Sequence, residues 1–281
     1  MDPVVTRFAP SPTGRLHLGH AYSAIQAHDH ARRHEGRFLL RIEDIDRTRS
    51  RPEHIGAILA DLAWLGLTWD GEVVQQSHRL SLYTVALERL RDMGLLYPCF
   101  CTRAEIAEAM SAPHGAAPLY PGTCRTLASA DLSRPHAWRL DMTVAVARVG
   151  ALEWRDGDRV IAADPLAQGD VVLARKDAPA SYHLAVTVDD AAQGITDVVR
   201  GVDLFDATHV HRLLQALLDL PVPRWHHHAL LTGTDGERLA KRHGAPALAT
   251  LRERGDAGRA LADRLRAGDF PNAAIIPTFG L

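Results

Sequence analysis

The sequence predicts an α/β fold built on a parallel sheet and broken by an irregular insertion. Three observations carry that expectation. Val4-Val5-Thr6 and Phe8 suit a buried strand, Pro10, Pro12 and Gly14 punctuate a tight connection, and Ala21, Ala24, Ile25, Ala27 and Ala31 follow at helical spacing. A second buried strand, Phe38-Leu39-Leu40-Arg41-Ile42, runs into the acidic cluster Glu43-Asp44-Ile45-Asp46. From Cys99 to about Leu140 the rhythm breaks, and all three cysteines fall in that stretch.

The whole chain sets bounds on these elements. Its 281 residues suffice for one large domain or two smaller ones with a real core. A composition of 46% hydrophobic and 23% charged residues is that of an ordinary globular protein, and a net charge of −2 leaves any nucleic-acid binding to local patches. Met1-Asp2-Pro3 is neither a basic nor an apolar leader, and no apolar run reaches membrane-spanning length. Three cysteines do not make a disulfide framework. A cytoplasmic enzyme with no membrane contact and no obligate protein partner is the expectation.

Taken in order, Pro52 to Leu65 patterns as a helix with proline in its first turn, and Leu80 to Met93 as another closed by Gly94. Trp64, Leu67 and Trp69 are assigned to packing. Strands are expected at Trp138 to Met142, Asp170 to Ala174 and Tyr182 to Val188, then a helix from Asp206 to Leu218 with Asp206 as its cap. A last strand, Arg224 to Leu231, feeds the glycine-punctuated Thr232 to Gly236, the basic run Arg238-Leu239-Ala240-Lys241-Arg242 and a helical tail. The expected division is 1–98 and 181–281 as two halves of one catalytic domain, with 99–180 as the insertion.

Several residues stand where chemistry is done. His17 and His20 lie three apart at a helix start, where free N–H groups and a partial positive charge suit phosphate. Glu43, the first residue past a strand, is placed to grip a cationic group, because parallel sheets bind ligands beyond the carboxyl ends of their strands. Lys241, on a glycine-rich loop, can clamp a triphosphate. Cys99, Cys101 and Cys124 offer three thiolates, and tetrahedral zinc needs a fourth ligand from among Tyr120, His114 and Asp131. His226-His227-His228 alternate across a strand and cannot converge on one site. His28, His30 and His34 read as a polar helix face.

Together, His17-Leu18-Gly19-His20 and Arg238-Leu239-Ala240-Lys241-Arg242 resemble the HIGH and KMSKS motifs of class I aminoacyl-tRNA synthetases. Arg7-Phe8-Ala9-Pro10-Ser11-Pro12-Thr13-Gly14, Arg41-Ile42-Glu43-Asp44 and Arg200-Gly201-Val202-Asp203-Leu204 resemble the glutamyl branch. The second motif departs from the usual pattern at Arg238 and Ala240. The resemblance covers Val4 to about Gly244 and implies a Rossmann-like catalytic core. It implies ATP at His17, Gly19, His20 and Lys241, and glutamate at Arg7, Phe8, Ala9, Pro10, Ser11, Glu43, Tyr182 and Arg200. Catalysis would rest on His17, His20 and Lys241, with Mg²⁺ accompanying ATP.

Cys-x-Cys followed by Tyr-x₃-Cys resembles the zinc site of a short paralogue family, the glutamyl-queuosine tRNA(Asp) synthetases. That likeness favours Cys99, Cys101, Tyr120 and Cys124 around one structural zinc. The stretch from Gly244 to Leu281 is shorter than the about 50 residues of an independent domain, so no separate anticodon-binding domain is expected. The resemblance implies tRNA-independent activation of L-glutamate and its transfer to queuosine in the anticodon loop of tRNA(Asp). The alternatives are a minimal tRNA(Glu)-charging enzyme and a non-catalytic nucleotide- or RNA-binding paralogue.

Overall fold

Val5, Thr6, Arg7 and Phe8 are all buried and form strand β1 (Val5–Phe8). The computed structural model describes residues 3–102, 104–106, 119–127, 129–232, 246–270 and 274–275. After β1 and its proline-rich turn comes helix α1 (Leu18–Arg33), whose Ala21, Ala24, Ala27 and Ala31 are buried. Strand β2 (Arg37–Ile42) then pairs parallel to β1, with Val5 opposite Arg37 and Phe8 opposite Leu40. Helix α2 (Pro52–Trp64) and the short β3 (Val74–Gln75), parallel to β2, complete the first stretch. Gly36 is required at the turn into β2, because a Cβ there would lie 2.2 Å from the Val4 carbonyl oxygen.

The chain next enters a second body. Helix α3 (Leu80–Asp92) leads to β4 (Leu96–Cys99), which pairs antiparallel with β5 (Ala137–Leu140). Helix α4 (Met142–Val149) follows, then an antiparallel hairpin, β6 (Glu153–Asp156) and β7 (Arg159–Ala162). Strand β8 (Val172–Ala174) adds to β5 through an irregular register. The stretch expected to form a strand from Tyr182 to Val188 is instead the start of helix α5 (Tyr182–Ala192). Local β-branching lost to capping and burial. The Ser181 hydroxyl accepts the Leu184 N–H, and buried Asp189 accepts from Arg79 Nε at 2.7 Å and from the Tyr83 hydroxyl at 2.8 Å.

Strand β9 (Asp197–Gly201) returns beside β1, the Thr196 N–H donating to the Val5 carbonyl at 3.0 Å. After helix α6 (Ala207–Leu218), strand β10 (Arg224–His228) pairs parallel to β9, with Arg224 opposite Asp197. Asp206 precedes α6, as expected, but makes no side-chain cap bond. The expected strand from Arg224 to Leu231 is broken: β10 ends at His228, and β11 (Leu231–Thr232) pairs separately with β12 (Ala274–Ile275). Helices α7 (Leu248–Glu253) and α8 (Gly258–Arg266) form the helical tail.

The chain divides into two compact units, one of Met1–His78, Gly194–Phe205 and Pro223–Leu281, the other of Arg79–Gln193 and Asp206–Val222. These boundaries differ from the expected cuts at 98/99 and 180/181. Helices α3, α5 and α6 pack on one another, which draws both flanks of the insertion into its own unit. In the first unit, α1 lies on β1, β2 and β9 over one apolar core that includes Phe38, Leu40, Ile58 and Leu62. No helix among the described residues is long and apolar enough to cross a membrane.

His209 on α6 gives the second unit a pH dependence. Its Nδ1 accepts from Trp154 Nε1 at 3.3 Å and from the Asp164 N–H at 3.0 Å, so the ring is neutral, and burial lowers its pKa. The unfolded imidazole takes up a proton near pH 6.5, so this stability is present above about that pH and is lost as pH falls through it. Between about pH 7 and about pH 5 the melting temperature of His209→Asn should fall less steeply than that of the wild-type chain. Equal slopes would contradict this.

Candidate active site

His17 and His20 sit where α1 begins, and backbone bonds orient both rings. His17 is the N-cap: its Nδ1 accepts the Gly19 N–H at 3.1 Å, and the His20 Nδ1 accepts the His17 N–H at 3.2 Å. Each bond takes the Nδ1 lone pair, so the proton of each neutral ring is on Nε2. The two rings lie 3.8 Å apart, centroid to centroid. Gly19 lets them close up, since a Cβ there would stand 3.1 Å from His17 Cε1. Two Nε2–H donors at a helix N-terminus form an anion-binding arrangement.

The loop after β1 brings further groups to the same ends of the strands. The Pro10 carbonyl accepts the Glu43 N–H at 3.0 Å, and the Pro12 carbonyl accepts the Arg51 N–H at 3.1 Å. Phe8 and Pro10 are buried, Ala9 is half-buried and Ser11 is exposed at the turn. Arg7 is buried in β1, and the Glu43 carboxylate lies 3.7 Å from the buried Arg41 guanidinium. Arg200, buried in the neighbouring β9, donates from Nη2 to the Leu204 carbonyl at 2.9 Å and from Nε to His227 Nε2 at 3.2 Å. His227 in turn packs against Phe205. Two buried guanidinium groups and one carboxylate match a ligand with carboxylates and an ammonium group.

The expected separation of His226, His227 and His228 holds: His226 meets Asp197, His227 meets Arg200, and His228 meets Ser23 and Tyr22. Lys241 and the rest of its loop lie outside the described residues, as does His114.

The second unit holds two other groups of interest. Tyr182 opens α5, 38% exposed, with its ring beside His183 and His211. Cys99, Cys101 and Cys124 have their sulfurs within 4.8 Å of one another, and the Tyr120 hydroxyl lies 3.4 Å from Cys99 Sγ and 3.5 Å from Cys101 Sγ. That hydroxyl also accepts the Cys124 N–H at 3.0 Å. Burial opposes ionisation of Cys124, but hydrogen bonds from the Phe100 backbone and the Tyr120 hydroxyl outweigh it and bring the thiol down to about 7. Burial pushes Cys101 up to about 11 and also raises the Tyr120 phenol. Three sulfurs and one phenol oxygen form a four-donor set that suits a thiophilic ion such as Zn²⁺. Asp131 is engaged elsewhere, in its own turn with Ser133.

Comparison with known proteins matches the chain to one family. Residues 3–274 match "tRNA synthetases class I (E and Q), catalytic domain". A glutamyl-Q tRNA(Asp) synthetase of Rhodobacter capsulatus is 52% identical over 271 residues, 90% of this chain and 96% of that protein. One from Deinococcus radiodurans is 46% identical over 98% of this chain and 92% of its own length. The chain belongs to the class I glutamyl and glutaminyl synthetases, among the glutamyl-Q tRNA(Asp) synthetases. A crystal structure of a glutamate tRNA ligase from Elizabethkingia meningosepticum, in complex with its amino acid, superposes with a TM-score of 0.79 at 26% identity. It covers 94% of this chain, which spans only 60% of that ligase. The class I synthetase catalytic fold, α/β with a parallel sheet, is thereby shared.

Within this synthetase family chain, two supporting residues escaped the sequence reading. His227, which holds Arg200, looked like one of three equivalent strand histidines. Asp170 looked like the edge of a strand, yet its carboxylate, 1% exposed, accepts from the Tyr97 hydroxyl, Arg125 and the Met142 N–H. Its backbone carbonyl accepts from Arg139, whose guanidinium lies 3.7 Å over the Tyr120 ring. Asp170 thus supports the bed of the cysteine cluster. Asp170→Asn removes the nearer of the two carboxylates that face Arg125, the other being Asp141 at 3.9 Å, and disturbs the buried bonds from Tyr97 and the Met142 N–H; it should cost about 1–3 kcal/mol in urea unfolding. A loss below about 1 kcal/mol, the range of a surface pair, would contradict a buried hub.

Proposed function

We propose that this chain activates L-glutamate with ATP, without tRNA, and transfers it to queuosine at the wobble position of tRNA(Asp). One observation carries the reading: relatives named glutamyl-Q tRNA(Asp) synthetase match at 44–52% identity over most of both chains. A Wolbachia pipientis glutamate–tRNA ligase, at 37% identity, is covered over only 59% of its length. A tRNA substrate and three unpaired thiols suit the cytoplasm.

The α-carboxylate oxygen of glutamate attacks the α-phosphorus of ATP, the bond to the β-phosphate breaks, and pyrophosphate leaves with the electron pair. Arg7 and Arg200 hold the two carboxylates, and Glu43 pairs with the ammonium group. Phe8, Ala9, Pro10 and Ser11 wall the same pocket, and Tyr182 is assigned to it on the resemblance. His17 and His20 donate Nε2–H to phosphate oxygens, Gly19 keeps their approach open, and Lys241 stabilises the charge on the departing pyrophosphate. These groups position and neutralise rather than bond covalently, as phosphoryl chemistry requires. Mg²⁺ bound with ATP supplies further charge neutralisation. Cys99, Cys101, Tyr120 and Cys124 would hold one zinc ion as a structural staple for a segment with little apolar core of its own.

Glutamate-dependent exchange of labelled pyrophosphate into ATP, run without tRNA, tests this. Exchange is expected, and His20→Ala should lower its kcat by about 10²–10³, the scale of losing one transition-state donor. No exchange without tRNA, or an unchanged rate in a folded His20→Ala chain, would overturn the reading.

A further inference from the structure

At the opposite end of the same strands from His17 and His20, three side chains from three elements converge. His30 comes from the last half of α1, Asp197 opens β9, and His226 is in β10. His226 Nε2 is 2.7 Å and His30 Nε2 3.4 Å from the same oxygen, Asp197 Oδ1, and the two ring centroids are 4.3 Å apart. All three donor atoms lie within 4.8 Å of one another. Asp197 stands three residues before Arg200, about 10 Å along an extended strand, so this group is separate from the proposed catalytic site.

We propose that His30, Asp197 and His226 form a divalent-metal site distinct from the cysteine cluster. Two imidazole nitrogens and one carboxylate oxygen are borderline donors, which suit Zn²⁺ or a neighbouring late first-row ion rather than Ca²⁺ or Mg²⁺. The carboxylate is oriented as a ligand is. Its other oxygen accepts from the Thr196 hydroxyl at 2.8 Å, and that hydroxyl oxygen accepts the Val5 N–H at 2.8 Å. The side chains of His30, Asp197 and His226 are 15%, 13% and 23% exposed. An ion can therefore enter, and water can fill its remaining positions. The site is structural: it clamps the C-terminal half of α1 to β9 and β10, and so steadies the helix whose other end carries His17 and His20. The His34 ring lies beside His30, tilted against it with centroids 4.7 Å apart.

The test is metal content and Zn²⁺ titration of the full chain after chelator treatment. The chain should take up one ion more than His30→Ala/His226→Ala does. The Cys99→Ser/Cys101→Ser/Cys124→Ser variant should still bind one ion, and its Co²⁺ form should show ligand-field bands without a thiolate charge-transfer band. His226→Gln, which keeps a polar group, should weaken that ion at least tenfold while leaving the melting temperature in chelator within a few degrees. Equal stoichiometry and affinity in the folded wild-type and histidine variants would overturn the proposal. So would a folded cysteine variant that binds no ion, or a Co²⁺ spectrum in which every bound ion is thiolate-ligated. A wild-type chain that binds no thiolate-ligated ion would overturn only the zinc assignment made above.

Discussion

The close seat of α1 on β1, β2 and β9 is the constraint on which the first unit depends. Ala21, Ala24, Ala27 and Ala31 are all fully buried, so the helix backbone approaches the sheet with no large side chain between them. The Thr6 hydroxyl donates to the Ala27 carbonyl at 2.9 Å and fixes the helix along its axis. With that axis set, the helix start must fall beyond the carboxyl end of β1, where parallel sheets bind ligands. His17 and His20 are thus placed by alanines spaced along the whole helix, from Ala21 beside His20 to Ala31 near its far end. The Pro10 carbonyl and the Glu43 N–H tie the two strand ends together, so both halves of the proposed adenylate site rest on one packing decision.

The second unit is held differently. Its organising groups are buried carboxylates: Asp170 gathers Tyr97, Arg125 and the Met142 N–H, and Asp189 gathers Arg79 and Tyr83. Such hubs add little net stability over an apolar core, yet each is costly to break and fixes geometry. That suits a unit whose cysteine and tyrosine donors must converge. The lowered Cys124 thiol eases one of the proton losses that metal binding demands, whereas burial holds the Cys101 thiol and the Tyr120 phenol protonated until an ion displaces the proton.

Local pattern made the first unit legible. A β-branched run, a proline turn and an alanine face at helical spacing are signals that tertiary contacts reinforce, so β1, α1 and β2 stand where the periodicity puts them. The stretch from Tyr182 misled because β-branched residues spoke for a strand, while the Ser181 cap and the partners of Asp189 decided for a helix. The burial of Asp170 and the bond from Arg200 to His227 depend on residues far apart in the chain, which no spacing rule connects. The same holds for His30 and His226: the strand alternation correctly separated the three histidines, but the second imidazole at Asp197, His30, comes from a helix that read only as a polar face. The split histidine bonds of α1 likewise show why a glycine stands between His17 and His20, a reason that motif matching does not provide.

The central claim is the identity of the acceptor. Glutamate activated in this site should pass to a hydroxyl of queuosine, and the decisive measurement is the attachment of labelled glutamate to three purified tRNAs. Queuosine-containing tRNA(Asp), tRNA(Asp) with unmodified guanosine at the wobble position, and tRNA(Glu) would each be incubated with the full chain and ATP. Label on the queuosine-containing tRNA(Asp) alone is the predicted result. Label on tRNA(Glu), or equal label on tRNA(Asp) with and without queuosine, would contradict the account.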